Sequence, residues 1–172
     1  MRRSRLTLVM LFALLLVVLA ACGPGFPTEQ YSVEGIFSMD YPQEWMVEEN
    51  EGVVGFTAGD ATIEEMGFVV AYQLDLMAAT FEVDLEDPAA LLEFYYVTSA
   101  LGEPQPRIER FGGGEWVVSD YSYEDVEYSL QGFIAAGRGA DNSILVIVGA
   151  SPDDYQTYRE FYDVMFNSIQ FE

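Results

Sequence analysis

Between residues 31 and 172, apolar and polar residues alternate in short runs that turn-forming residues separate. The run from Phe37 to Tyr41 is apolar at every second position, which is the period of a strand with one buried face, and Pro42 ends it. A longer apolar strand at residues 66–76 is expected to be central. Other strands are predicted from Trp45 onward and at residues 53–58, 107–111, 115–123, 126–136 and 143–150.

A first helix is predicted to follow residue 87. Asp87 is a good N-cap residue, and Pro88 suits the first helical position. Gly102, with Pro104 after it, ends the helix. The residues expected on its apolar side are Leu91, Tyr95 and Thr98.

A second helix is predicted near the end of the chain. Ser151 is its N-cap, Pro152 takes the first position, and two aspartates follow at the positive end of the helix dipole. Apolar residues recur at helical spacing, which favours core packing over a cofactor site. They are Tyr155, Tyr158, Tyr162, Met165 and Ile169. Residues 169–171 are expected to add a short closing strand.

The order of these elements predicts the fold class. Strands come in runs with only two clear helices between and after them, which is typical of an α+β fold rather than a doubly wound one. The sequence therefore predicts a central antiparallel sheet of about six to seven strands, flanked by two main helices. Residues 115–123 and 126–136 are expected to form two strands of a hairpin or meander, joined at Glu124 and Asp125.

The first 21 residues have a different pattern. The segment MRRSR is positively charged, and residues 6–20 form an apolar stretch. A helix of about 15 residues is roughly 22 Å long, which is too short for a hydrocarbon core of about 30 Å. Because small residues follow at once, residues 1–21 are predicted to be a secretory signal peptide.

The junction Leu19-Ala20-Ala21-Cys22 resembles the bacterial lipobox, in which an aliphatic residue and two small residues precede a cysteine. The resemblance implies cleavage before Cys22, a diacylglyceryl group on its sulfur and acylation of its amino group. Two lipid chains give stable anchoring, whereas one chain is marginal. Lipid on Cys22, the only cysteine, is therefore the expected contact with a bacterial membrane, with the protein outside the cytoplasm.

These observations divide the chain into three parts. Residues 1–21 are the lipoprotein signal peptide, and residues 22–30 are the lipidated cysteine with a flexible tether rich in Gly and Pro. Residues 31–172 are expected to form a single acidic α+β domain. The tether reaches about 25 Å at most, so the domain is expected to lie close to the lipid surface.

The charge of the chain limits its partners. The 29 acidic residues all follow Cys22, and only four arginines do, so the mature chain has a net charge of −25. Such a surface repels nucleic acid and anionic lipid headgroups, so neither is an expected partner. Solubility explains the charge most simply, and a cation-binding surface or life at high salt is the alternative.

Calcium is the cation that this composition favours, because carboxylate oxygens are abundant. The weak candidate ligands are Asp120, Glu124 and Asp125, which lack the glycine of an EF-hand loop. Acidic residues 84–87 are a second candidate, although Asp87 is also expected to cap a helix. No cofactor is predicted apart from this possible Ca²⁺.

Most catalytic chemistry is excluded by the missing residue types. The chain has no His and no Lys, which removes Ser-His-Asp, Cys-His and Ser-Lys arrangements. Glycines 112–114 are not followed by Lys, so they indicate a turn and not a phosphate loop. A pair of carboxylates remains possible, but no local pattern marks one. The protein is therefore predicted not to be an enzyme.

Five aromatic residues could line a groove for a sugar or a peptide, although core packing is the favoured interpretation. They are Tyr95, Tyr96, Trp116, Tyr121 and Tyr123.

Three segments resemble the PsbP/Mog1-like domains. Residues 37–45, FSMDYPQEW, resemble the opening hairpin of that family with its Tyr-Pro-x-x-Trp segment, residues 53–56 resemble the next strand, and residues 166–171 resemble its final helix and strand. The resemblance implies a central antiparallel sheet with helices on both faces. It also implies a non-catalytic accessory or binding domain, while no functional residue carries over.

The sequence thus favours a lipid-anchored cell-envelope lipoprotein whose domain binds a protein or a small ligand. A calcium- or cation-binding surface domain is the alternative, and a carboxylate-dependent hydrolase is a weaker one.

Overall fold

The computed structural model describes residues 25–59, 66–74, 83–112, 114–124 and 129–172. Alternating apolar residues form strands there, and the two segments with helical spacing form helices. The elements are β1 (Thr28–Val33), β2 (Phe37–Pro42), β3 (Trp45–Asn50), β4 (Val53–Ala58), β5 (Met66–Ala71), α1 (Pro88–Thr98), β6 (Arg107–Phe111), β7 (Gly114–Glu124), β8 (Ser129–Arg138), β9 (Ser143–Ala150), α2 (Pro152–Ser168) and β10 (Gln170–Phe171).

A seven-stranded antiparallel sheet has the strand order β3-β4-β5-β9-β8-β7-β6. This confirms the predicted α+β class with a sheet of about seven strands and two helices. The central strand is β9, and β5 lies next to it. The strand predicted at 66–76 is shorter than expected, since β5 ends at Ala71. Residues 75–76 lie outside the described ranges.

A smaller sheet of three antiparallel strands has the order β1-β2-β10. The expected pairing of β2 with β3 in an opening hairpin is wrong, since β2 pairs with β1 and β10 while β3 pairs with β4. Pro42 has no N–H to donate and ends β2, and the chain then crosses to the larger sheet. The tether predicted at 22–30 also ends earlier, because Thr28 to Gln30 already pair with β2.

The two faces of the larger sheet carry separate hydrophobic cores. Along β8, Phe133 and Ala135 face one core, and Ile134 and Ala136 face the other. Helix α2 and the smaller sheet cover the first face, and α1 covers the second. The arrangement implied by the family resemblance, with helices on both faces, is therefore confirmed.

Both helices begin as predicted. The Asp87 carboxylate accepts a hydrogen bond from Ala89 N at 2.9 Å, and the Ser151 hydroxyl accepts one from Asp154 N at 3.2 Å. The buried side of α2 includes Tyr162 and Met165, as its spacing predicts.

The buried side of α1 differs from the prediction. It consists of Leu91, Leu92 and Tyr96, and not of Tyr95 and Thr98. The Tyr96 hydroxyl donates to the backbone oxygens of Ser119, at 3.1 Å, and Asp120, at 2.8 Å. These bonds to β7 fix the rotation of the helix and turn Tyr95 toward its margin.

Candidate functional site

A cavity of about 260 Å³ lies on the α1 face of the larger sheet, where α1 ends. Side chains from the last turn of the helix and from three adjacent strands surround it. The described residues that line it are Tyr95, Ser99, Leu101, Tyr121, Tyr123, Leu130 and Ile147. We refer to it as the tyrosine cavity.

The position of Tyr121 depends on a row of glycines. In the sheet register Tyr121 lies opposite Gly132, Gly132 lies opposite Gly149, and Gly149 lies opposite Gly67. A Cβ atom on Gly149 would lie 2.0 Å from the Tyr121 hydroxyl oxygen, and one on Gly132 would lie 1.8 Å from the carbonyl oxygen of Val148. The Tyr121 side chain therefore extends over β8 to β9, where the missing side chain of Gly149 leaves room for its hydroxyl, while Gly132 lets the backbones of β8 and β9 come close.

Burial raises the pKa of the Tyr121 phenol above its ordinary value, and the neighbouring tyrosines Tyr95 and Tyr96 raise it further. Because an ordinary tyrosine already titrates near pH 10, Tyr121 stays neutral at physiological pH. A neutral phenol offers one hydrogen-bond donor and an acceptor beside an apolar ring.

The helical wall of the cavity is fixed by the end of α1. Ser99 is the C-cap residue, and its N–H donates to the carbonyl oxygen of Tyr95 at 2.9 Å. The N–H of Leu101 donates to the carbonyl oxygen of Tyr96 at 3.0 Å. Together with the Tyr96 hydroxyl bonds to β7, these contacts hold Tyr95 and Ser99 in place over the strands.

The lining determines what the cavity can bind. Among its described residues none is charged; the polar groups are hydroxyls and the rest of the lining is aromatic or aliphatic. Such a site suits a neutral ligand with a flat apolar face and a few hydroxyl or amide groups.

Three of the five aromatic residues considered for a groove meet at this cavity, and the other two do not. Tyr96 is buried beneath α1, and Trp116 lies in the core on the opposite face. Tyr95 and Tyr121 also pack against the core of the α1 face, so the core-packing interpretation holds for these two as well. Alternation along β7 places Tyr121 and Tyr123 on one face, but the glycine row becomes visible only once the strands are in register.

A second, polar cleft of about 250 Å³ lies on the α2 face beside β6 and β7. Arg107 donates to both carboxylate oxygens of Asp120, Nη1 to Oδ2 at 2.8 Å and Nη2 to Oδ1 at 3.0 Å, and its Nε donates to Glu109. Burial raises the pKa of Asp163 in the same cleft, against the opposing influence of Arg159. Glu109 and Asp120 are thus held by an arginine, and Asp163 is the lining carboxyl whose pKa is raised.

The candidate calcium ligands are not brought together in the described part of the chain. Asp120 and Glu124 lie on one extended strand, about 13 Å apart, and Asp125 lies outside the described residues. Asp84 accepts a hydrogen bond from Glu86 N, and Asp87 caps α1. The described residues contain no group of three or more acidic, His or Cys side chains that could hold a metal. Calcium binding stays a prediction, which a titration of the melting temperature with Ca²⁺ tests.

The predicted anchor lies outside the described residues, since Leu19, Ala20, Ala21 and Cys22 precede residue 25. Among the residues that are described, neither helix has the length and apolar character needed to cross a bilayer.

The fold belongs to the PsbP-like α+β class, as comparison with solved structures shows. Cyanobacterial PsbP (CyanoP) from Synechocystis sp. PCC 6803 matches with a TM-score of 0.54 and 16% identity, over 88% of this chain and 97% of that one. LpqN of Mycobacterium tuberculosis, a protein involved in cell envelope biogenesis, matches with a TM-score of 0.50 and 12% identity, over 86% of each chain.

A protein of Bacteroides thetaiotaomicron matches with a TM-score of 0.57 and 11% identity over 84% of this chain, which spans 48% of that protein's length. No protein-family model and no curated protein matches the sequence. At these identities the similarity establishes the fold, and function must be argued from the site.

Proposed function

We propose that this protein is a lipid-anchored domain of the bacterial cell envelope that binds a neutral ligand in the tyrosine cavity without catalysing a reaction. The observation that carries the proposal is the meeting of Tyr95, Tyr121 and Tyr123 at this cavity, with the Tyr121 hydroxyl lying over Gly149. Gly149 leaves room for the Tyr121 side chain, and the end of α1 positions Tyr95, whereas an isolated exposed tyrosine would need no such support.

The ligand class follows from size and charge. A volume of about 260 Å³ is slightly below the roughly 300–1,000 Å³ of sites that enclose a whole small molecule. The cavity therefore suits one unit of a longer molecule. A sugar ring fits the lining best, because its C–H face packs on tyrosine rings while its hydroxyls bond to phenols and to Ser99. A neutral glycan also avoids the anion repulsion of a domain with a charge of −25.

Two further observations support a non-catalytic role outside the cytoplasm. The chain has no His or Lys, and in the polar cleft the carboxylates of Asp120 and Glu109 are engaged by Arg107. The leader and lipobox pattern favours export and lipidation, and the similarity to LpqN, involved in cell envelope biogenesis, fits that location.

Ligand binding is tested with the lipidated protein in detergent micelles. Neutral oligosaccharides and proline-rich peptides are titrated while backbone amide shifts are followed by NMR. We expect an oligosaccharide to shift the amides of β7 and of the end of α1. Tyr121→Ala should weaken its affinity about tenfold or more, or about 1.4 kcal/mol.

Tyr41→Ala is the matched control, because it removes a partly buried tyrosine from the smaller sheet. Equal losses in the two variants, or no shift with any oligosaccharide, would contradict a glycan site. Binding of the peptides alone would assign the cavity to a protein partner instead.

The anchor is tested separately by Cys22→Ser. This variant should be released in soluble form or accumulate as uncut precursor, whereas Ala21→Gly, which keeps a small residue before Cys22, should stay in the membrane fraction. A Cys22→Ser protein that is cleaved and still membrane-bound would show that the lipid is not the anchor.

A further inference from the structure

The chain enters the folded domain at two fixed contacts. The ring of Phe26 packs on Phe161 of α2 with a centroid distance of 4.3 Å. One residue later, the carbonyl oxygen of Pro27 accepts a hydrogen bond from Gln43 N at 3.1 Å, at the turn between β2 and β3. The domain is therefore held from residue 26 onward.

Phe26 is part of an aromatic cluster that we call the entry patch, consisting of Phe26, Trp45, Tyr158 and Phe161. The Trp45 ring stacks on Phe161 at 5.8 Å and meets Tyr158 edge-on at 5.9 Å. Trp45 is buried, while Phe26, Tyr158 and Phe161 are partly exposed. Three of the four aromatic residues are thus partly open to solvent beside the point of chain entry.

The distance from this patch to the predicted lipid is short. Cys22 precedes Phe26 by four residues, which span at most about 14 Å even when fully extended. Longer tethers let a domain turn freely, whereas this one keeps the entry patch beside the lipid headgroups. Tyr and Trp side chains are enriched at the level of the headgroups, because they combine an apolar ring with a polar group.

We infer that the entry patch rests in the interfacial layer of the membrane and orients the domain, an inference that depends on the proposed lipid anchor. The four patch residues carry no charge, and the carboxylate of Glu160 lies beside Gly25 where the chain enters the domain. The contact therefore favours zwitterionic over anionic lipid. The tyrosine cavity lies on the opposite face of the larger sheet, so this orientation leaves it open to the aqueous side.

The test places a tryptophan at the patch and another on the far face. Phe161→Trp and Val97→Trp are purified as lipidated proteins and reconstituted into phosphatidylcholine vesicles that contain brominated lipid, which quenches nearby tryptophan emission. Val97 is the control because it is 69% exposed on α1, and both variants keep Trp45 and Trp116. Phe26→Trp provides a second patch variant if Phe161→Trp fails to fold.

After the quenching of the wild-type protein is subtracted, we expect that of the tryptophan in Phe161→Trp to exceed that in Val97→Trp at least twofold, and to decrease when phosphatidylglycerol replaces part of the phosphatidylcholine. If the protein floats with the vesicles but the two variants are quenched equally, the proposed orientation is wrong, while the proposed lipid anchor is still supported. Protein that does not float with the vesicles would overturn both, because the orientation requires the anchor.

Discussion

The two faces of the larger sheet are packed in different ways. On the α2 face, aromatic rings pack against one another. The ring centroid of Phe166 lies 4.7–5.2 Å from those of Phe111, Trp116 and Phe133. On the α1 face, the core consists mainly of aliphatic and small residues, among them Ala71, Leu91 and Ala136. In the part of the chain that the structure describes, α2 and the smaller sheet cover the first core, and one short helix covers the second.

Helix length explains why the cavity lies where it does. Helix α2 has 17 residues and spans about 25 Å, whereas α1 has 11 and spans about 16 Å. The shorter helix ends before it has covered the strands beneath it, and the tyrosine cavity begins there. Among the described residues, the α2 face thus holds the aromatic core, and the α1 face holds the candidate site.

The largest expected loss of stability comes from removing an aromatic ring from the core on the α2 face. Phe166→Ala should lower the free energy of unfolding by about 3–5 kcal/mol, because it removes a buried ring from three ring contacts. Urea denaturation followed by tryptophan fluorescence measures this, since both tryptophans remain. Phe166→Leu should lose clearly less, and a loss below about 1 kcal/mol for Phe166→Ala would contradict the packing described.

Glycine-to-alanine substitutions at Gly132 and Gly149 should affect stability and oligosaccharide binding to different degrees. Gly132→Ala places its Cβ against a backbone oxygen and should cost about 1–3 kcal/mol. Gly149→Ala meets the end of the Tyr121 side chain, which can move, so it should cost less but weaken oligosaccharide binding more. Thermal melts and NMR titrations of both variants check this, and equal effects on binding would argue against the role of Tyr121.

Tyr96→Phe should cost about 1 kcal/mol, because it removes two hydrogen bonds that fix α1 to β7. The released helix should also broaden the amide signals of Ser99 and Leu101. Tyr95→Phe is the control and should leave the free energy of unfolding nearly unchanged. A similar loss in both variants would show that these two bonds do not set the helix position.

The smallest expected change in stability is that of a substitution at Asp163 in the polar cleft. Its pKa is raised by burial, so the folded state disfavours its ionised form, and the penalty is present only above the pKa of the unfolded chain. Asp163→Asn should therefore raise the melting temperature slightly at pH 7 and not at pH 3. A decrease at pH 7 would mean that the contact with Arg159 outweighs the burial.

Much of the fold could be predicted from the sequence because its signals are local. Asp87 and Ser151 mark the helix starts, and the apolar run at 143–150 coincides with β9. The pairing of the strands is harder to predict. Alternation shows that residues 37–42 form a strand, but it does not show which strands lie beside it. Nothing local indicates that β2 belongs to a different sheet from β3.

The candidate site was predictable only in part. Tyr95, Tyr121 and Tyr123 were considered for a groove, but their grouping depends on the rotation of α1 and on the strand register. Gly132 and Gly149 lie on different strands and become a site feature only through the register. The rotation of α1 rests on hydrogen bonds between the Tyr96 side chain and β7, and no pattern of apolar residues encodes them.

The smaller sheet has a consequence for the order of folding. Asp40 N donates to the Ser168 hydroxyl at 2.8 Å across 128 residues, and β10 pairs with β2 from a similar distance along the chain. A chain that emerges N-terminus first therefore exposes β2 long before its second partner exists. We therefore expect this sheet to close late, and the high sequence separation of its contacts predicts slow folding.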